Sequence, residues 1–317
     1  MRTTISSGAL LFGRLLLRMA AGLFVLSTAA FILIQFMPGD PAVRVLGGIA
    51  TPEDIERTRQ ALGLNDPILL RYLTFLKSVF TLDLGTSFTG ESILSVLGAR
   101  AVHSAALAFA SIALTAVLSV GLGLAMAGLT QNEGRPKTAF TFTAGGGLVA
   151  AIPGYVLAMG LVAVFAVNLR WFPVAGAQGT SSYVLPVISL AVPASAILSR
   201  VVRVEALNAL ESDYARTARS KRISTWRLYI HHVLPNVLNG ALTIGGVMFG
   251  YLLGGSVIVE NVFQWPGLGT ALVEAVDARD YPVLQFSIVF IGAGVLIINA
   301  LIDVALFTLD PRLRSAS

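Results

Sequence analysis

Apolar positions gather into six runs along the chain, and polar positions fill the stretches between them. A hydrocarbon layer of about 30 Å needs about 20 consecutive apolar residues in a helix. Such runs occur at about 15–36, 102–129, 139–167, 184–204, 238–259 and 284–308. The second and third exceed the minimum and therefore tilt or extend beyond the bilayer. Pro153-Gly154, Pro186 and Pro193 break up the third and fourth, which is tolerated where neighbouring spans satisfy the freed carbonyls. The fifth carries Gly246, Gly250 and Gly254 at four-residue spacing, on one helix face. Small residues in that register serve close helix packing or line a translocation path.

The stretches between the runs have structure of their own. Residues 37–101 are too many for a simple connection. Thr51-Pro52-Glu53-Asp54 predicts a capped helix start with Pro and acids in the first turn, and Gly63 its end. Asp66-Pro67 opens a second helix, whose Ile68, Leu69, Tyr72, Leu73, Leu76, Val79 and Phe80 form an apolar stripe. The other conspicuous stretch, 205–237, is polar and basic, with a helix-favouring segment around 211–223 between two apolar runs. A hydrophilic helix in that place is a docking surface for something in solution. Its alanines, Ala215 and Ala218, are expected to leave room for a partner's groove.

Composition settles the class. Hydrophobic residues make up 55% of the 317 and charged residues only 12%, about half of what coats a soluble domain. The chain is expected to be all-α: a polytopic membrane helix bundle with six transmembrane helices. The run from residue 15 continues to Met37, longer than the apolar core of a cleaved leader, so it is expected to be a span. The net charge of +5 is a matter of topology and does not point to nucleic acid. Basic residues concentrate at Arg2, Arg14 and Arg18, at Arg135 and Lys137, through 200–227, and at Arg312 and Arg314. By the positive-inside rule these mark a cytoplasmic N-terminus (1–14), polar segment (205–237) and C-terminus (309–317), with 37–101 as an outer loop and a transmembrane domain over 15–308. Trp171, Trp226 and Trp265 fall beside predicted boundaries, as interfacial indoles do.

Candidate chemistry is sparse. There is no Cys, so no disulfide, thiolate metal site or Cys nucleophile, and three scattered His assemble no metal site. Ionisable residues inside the runs are few; Asp303, one turn from Asn299, is the clearest. The lack of paired intramembrane carboxylates, a buried Lys or a central Arg argues against a proton- or sodium-coupled carrier or a self-sufficient channel. A membrane-embedded enzyme would need a nucleophile elbow, a His cluster or paired Asp, and none is present. No phosphate-cradling Gly-rich loop ending in Lys-Ser/Thr occurs, so no nucleotide site is expected in this chain, and no catalytic residue or cofactor.

Several blocks carry a family resemblance. Arg216-Thr217-Ala218, Arg222, His232 and Leu234-Pro235 fall on the coupling motif of ABC-importer permeases: Glu-Ala-Ala, three residues, Gly, nine residues, Ile, any residue, Leu-Pro. The chain resembles the dipeptide/oligopeptide/nickel branch, B-type subunit. Phe36-Met37-Pro38-Gly39-Asp40-Pro41, Gly63-Leu64-Asn65-Asp66-Pro67, Asp83-Leu84-Gly85-Thr86-Ser87, Ile152-Pro153-Gly154, Trp171-Phe172-Pro173, Asp310-Pro311-Arg312 and the run Val259–Gly269 with Ala278–Pro282 are similar to that branch's blocks, in order. The resemblance implies type I ABC-importer permease architecture and inward transport of di- or oligopeptides, nickel, glutathione or a related small solute across the cytoplasmic membrane. It implies a second homologous permease, two ATP-binding subunits that carry ATP and Mg, an extracytoplasmic substrate-binding protein, and lipid around the spans. Asp213, Tyr214, Ala215, Arg216, Thr217, Ala218, Arg219, Lys221, Arg222, Leu234 and Pro235 are then the ATPase-coupling residues. Arg222 and His232 depart from the motif's Gly and Ile.

Overall fold

A computed structural model describes residues 2–37, 39–46, 50–131 and 135–309. They form thirteen α-helices and no strand; an isolated antiparallel bridge joins Thr86 and Ser92. In chain order these are α1 (Arg2–Gln35), α2 (Pro41–Leu46), α3 (Pro52–Ala61), α4 (Ile68–Thr81), α5 (Ile93–Thr130), α6 (Pro136–Ala151) and α7 (Gly154–Leu161), which continues as π-helix over Val162–Asn168. Then follow α8 (Ser181–Glu211), α9 (Asp213–Ser220), α10 (Thr225–Leu228) with a π-helical stretch Tyr229–Val233, α11 (Leu234–Val262), α12 (Leu268–Ala278) and α13 (Tyr281–Leu309).

Among the described residues four helices are long and apolar enough to cross a membrane: α1 over Phe12–Gln35, α5, α8, and α13 over Tyr281–Val304. A fifth is added if α6 and the α7–π segment are one span bent by 88°. The apolar run at 238–259 lies in α11, a continuous helix of 29 residues, compatible with a sixth. The predicted interruptions behave differently from one another. Pro153 breaks the third span, whereas α8 runs unbroken through Pro186 and Pro193. Each proline removes one amide donor from the ladder, yet α8 holds because it is packed on most sides: Leu185, Leu190, Ala194, Leu198 and Val202 are all buried.

The chain divides into two compact units, each coherent in itself. One comprises Gly8–Ala105 and Gln264–Ile297. Its core gathers Ala30 and Phe31 of α1, Phe75 and Val79 of α4, Ile93 and Leu97 of α5, Leu268, Ala271 and Ala275 of α12, and Phe286 and Val289 of α13. Phe31 stacks tilted on Tyr72 and Phe75, with centroids 5.2 and 6.0 Å apart, and Phe75 on Phe286 at 5.3 Å. The Thr28 and Tyr72 hydroxyls share a 2.7 Å hydrogen bond. The α4 stripe is thus narrower than its sequence predicts. Phe75 and Val79 are buried and Tyr72 and Leu76 half-buried, while Ile68, Leu69, Leu73 and Phe80 are exposed. The capped helix is as expected: Thr51 accepts from the Asp54 amide, Pro52 opens α3, and Gly63 turns out of it at φ +64°.

The second unit is built around Ala106–Phe263. Here α8 lies against α6, α7, α9 and α11. It also meets α5 where Gly123 admits it: a Cβ there would stand 2.8 Å from the Ser199 carbonyl oxygen. Gly254 has nothing within 4 Å of its Cβ position, so no described part of the chain uses the approach it offers. Gly246 lies outside the described side chains.

The expectation for the three tryptophans is overturned at one of them. Trp171 and Trp226 are exposed, as interfacial indoles would be, but Trp265 is wholly buried. Its indole N–H donates to the His103 carbonyl at 3.1 Å, and its ring meets His103 edge-on. Thr270 Oγ1 donates to the Trp265 carbonyl at 2.6 Å, and the Leu268 amide donates to Ser104 Oγ at 2.8 Å. Trp265 therefore pins the loop before α12 to the first part of α5. Thermal unfolding in detergent should show Trp265→Phe weakened by about 1 kcal/mol for the lost hydrogen bond. Trp265→Ala should lose about 3–5 kcal/mol, and Trp226→Ala should match the wild type.

Candidate functional site

The polar segment between α8 and α11 is built by a sequence of stops and restarts. Glu211 ends α8, and Ser212 turns the chain with an extended backbone (φ −67°, ψ 158°). Ser212 Oγ donates to the Ala209 carbonyl at 2.5 Å, and the Ser212 carbonyl receives the Ala215 and Arg216 amides, at 3.1 Å each, to start α9. Asp213 in the first turn and Arg219 in the last both suit the helix macrodipole.

The helix has two dissimilar faces. Ala215 and Ala218 are buried in a core with Leu198, Val202, Ala206, Leu210, Leu228, Val233 and Val237, flanked by Ile223 and Tyr229. Asp213, Tyr214, Arg216, Thr217, Arg219, Ser220, Lys221 and Arg222 are exposed. The alanines thus fit the chain's own α8 rather than a partner's groove. They are small because α9 lies close against α8, and the exposed surface of α9 is the opposite one. Side-chain bonds hold α8 and α9 to the end of α5 and the residue after it. Arg219 donates to Gln131 Oε1 at 3.3 Å, and Arg203 to Thr130 Oγ1 at 3.1 Å. Tyr229 packs where Gly128 leaves room, its hydroxyl 2.9 Å from that residue's Cβ position. Burial pushes its phenol pKa up, with Arg219 opposing.

The end of α9 explains the motif position at 222. The Arg222 amide donates to the Arg219 carbonyl at 2.9 Å, the Ile223 amide reaches the Ala218 carbonyl at 3.3 Å, and Arg222 sits at φ +56°. That is a Schellman turn, with Ile223 packed on the cluster that holds Ala218. Its left-handed residue is ordinarily glycine, because a Cβ there crowds the following carbonyl. The motif's Gly is therefore a conformational requirement, and Arg222 meets it under strain. Leu234-Pro235 open α11 directly after the π-helical stretch. Pro235 has no amide to offer the preceding turn, which accords with a widened π turn at that point.

Two features escaped the sequence reading. Glu260 is 1% exposed at the end of α11, a buried acid easily read as part of a loop. The Asp40–Arg59 ion pair closes the short α2–α3 region, with Arg59 Nε 2.8 Å from Asp40 Oδ2. It holds the Asp40 carboxyl below the usual carboxylate range. Among the described residues no group of His, Asp and Glu could hold a metal ion.

Comparison with known proteins follows the same outline. Residues 119–315 match the model of the binding-protein-dependent transport system inner membrane component, and residues 10–107 match its N-terminal counterpart. The glutathione transport system permease protein GsiC of Escherichia coli is 33% identical over 300 residues, covering 94% of this chain and 97% of that one. Its Shigella flexneri counterpart is 32% identical over the same shares. A solved structure of the MetNI methionine ABC transporter, in an inward-facing conformation, superposes with a TM-score of 0.60 at 17% identity, over 68% of this chain and 97% of that one. At that identity the likeness concerns the fold alone.

The packing of α9 sets the sign of two substitutions. Arg222→Gly should stabilise the chain by about 1 kcal/mol, since it removes a Cβ from a left-handed position. Ala218→Glu should cost several kcal/mol by burying an unpaired carboxylate. Melting in detergent decides both, and an unaltered Ala218→Glu would mean that α9 is not seated on α8.

Proposed function

Because the chain belongs to the family of binding-protein-dependent transport system inner membrane components, we propose that it carries di- or oligopeptides, glutathione among them, as the permease of an ATP-driven importer. That it is a permease subunit of an ABC importer follows from the family. The peptide-class solute rests on the glutathione permeases it is similar to over nearly its whole length. The working assembly is this chain, a second homologous permease, two ATP-binding subunits holding ATP and Mg, and an extracytoplasmic substrate-binding protein. This chain itself holds no nucleotide and performs no hydrolysis.

The observation that carries the coupling role is the two-faced α9. Its inner face is fixed to α8 through Ala215 and Ala218, and its outer face presents Tyr214, Arg216, Thr217, Lys221 and Arg222. A force applied to the outer face passes into α8 and from there to α6, α7 and α11. Leu234 and Pro235 fix the return into α11. The exposed basic groups favour an acidic patch on the ATPase. Arg216→Glu and Arg222→Glu should reduce co-purification of the ATP-binding subunits, while Arg222→Gly should retain it. Equal recovery with all three would remove α9 from the interface.

Orientation follows from the basic residues: both termini and 205–237 face the cytoplasm, and 37–101 faces outward. The absence of native Cys makes single-cysteine labelling clean. An impermeant thiol reagent applied from outside should reach the exposed positions Gln60 and Asp277 but not the exposed Arg135 and Ser220. Labelling at 220 from outside would reverse the topology.

A further inference from the structure

A pocket of about 340 Å³ opens where the end of α1, the start of α2, the end of α3 and α4 meet. Asp40, Arg59, Asn65, Arg71 and Tyr281 are among the residues that line it. A second pocket of about 280 Å³ shares Arg71 and Tyr281 with it, and its wall is more apolar, with Leu62, Phe75 and Phe88. All of these residues lie in the unit formed by Gly8–Ala105 and Gln264–Ile297.

The charges in this region are unequally committed. Arg59 is bound by Asp40 and lies 3.7 Å from Glu56, and Asn65 donates to Glu56 at 2.7 Å. Asp40 stays ionised because Arg59 holds its pKa down, so that pair is closed on itself. Arg71 is different. It is half-buried, lines both pockets, and its guanidinium makes no hydrogen bond or ion pair among the described residues. Arg279, exposed and likewise without a partner among them, brings its Nη1 within 3.4 Å of the Cβ position of Gly39, on the pocket's rim. The opposing acid is Asp66, which lines only the second pocket, is exposed and does not pair with Arg71. A half-buried guanidinium facing a concavity is suited to a planar anion it can meet with two N–H groups, which is a carboxylate.

We propose that these paired pockets form a binding site for a small carboxylate-bearing solute, with Arg71 taking the carboxylate and the Leu62–Phe75–Phe88 wall taking an apolar side chain beside it. The larger pocket, at about 340 Å³, reaches the size of pockets that hold whole small ligands, about 300 Å³ and above. The inference deepens the importer reading and rests on it for the outward-facing position of the site. The solute would be held at this outer loop, separately from the binding protein that delivers it.

The test uses the full chain in lipid nanodiscs, with tri-alanine and its C-terminal amide as probes, read by calorimetry. The free acid should bind more tightly than the amide by about ten-fold, as for a charge-assisted Arg–carboxylate contact. Arg71→Gln should abolish that preference at an unchanged melting temperature. Asp66→Asn should strengthen binding of the acid by a few-fold, because it removes an opposing charge from the lining of the second pocket. Equal affinity for acid and amide, or an unaltered preference in Arg71→Gln, overturns the proposal. Loss of docking by the extracytoplasmic binding protein in Arg71→Gln without any acid preference would also overturn it, by giving the arginine to a protein partner. Binding is read without ATP or uptake, so a negative result leaves the importer reading standing. Failure of the complete assembly to take up peptide would leave the binding result standing.

Discussion

Every amide and carbonyl within the hydrocarbon layer must find its partner inside the protein, because lipid offers none. That constraint keeps the described spans helical, and it also governs where those helices are allowed to be irregular. The π-helical stretch Val162–Asn168 widens the ladder without abandoning it. Hydroxyl side chains do similar work: Ser189 Oγ donates to the Pro186 carbonyl at 2.7 Å, and Ser195 Oγ to the Ala191 carbonyl at 2.6 Å. These bonds bring buried hydroxyls into the ladder of α8 beside its two prolines. The break at Pro153 is of another kind. Its flanking residues are exposed in this chain, and the helix axis turns by 88°.

Close packing of small residues is the second consequence. Helices in lipid gain little from hydrophobic exclusion and much from intimate contact, so the positions that matter are those where a side chain would obstruct. Gly123 lets α5 reach the backbone of α8, and Gly240 lets α11 take the Glu205 carboxyl carbon at 3.0 Å from its Cβ position. Ala215 and Ala218 extend the same logic outside the spans. They seat a short polar helix on the end of a long apolar one.

How legible all this is in the sequence depends on the range of the interactions involved. The α3 helix is readable because its cap, first-turn Pro and terminal Gly63 act within a few residues of one another. The polar segment that holds α9 is readable by position, since it is a hydrophilic stretch between two apolar runs. Its facing is not: whether Ala218 packs on its own chain or awaits a partner depends on α8, whose orientation no local pattern sets. Trp265 misleads for the same reason, because its burial is decided by His103, more than a hundred and fifty residues earlier. The neighbourhood of Arg71 draws on α1, α3, α4 and Tyr281, and no periodicity in the sequence joins those segments.

Arg222 shows how backbone strain and surface charge can share one position. A Schellman turn closes α9 with two backbone bonds and one apolar contact, and these orient Ile223 and the chain leading to α10. Glycine satisfies such a turn at no steric cost, so an arginine there is worse for the fold than the family's residue. What arginine adds is a permanent positive charge beside the C-terminal end of α9, next to Lys221 and on the exposed side. That charge complements the helix dipole by roughly 0.3–1 kcal/mol, comparable to part of the conformational cost. It also widens the basic surface that α9 offers outward. The turn remains formed because the inner face, anchored by Ala215 and Ala218, determines where the backbone must go. The position of α9 is set by packing, and only its exposed surface is free to change without disturbing the core.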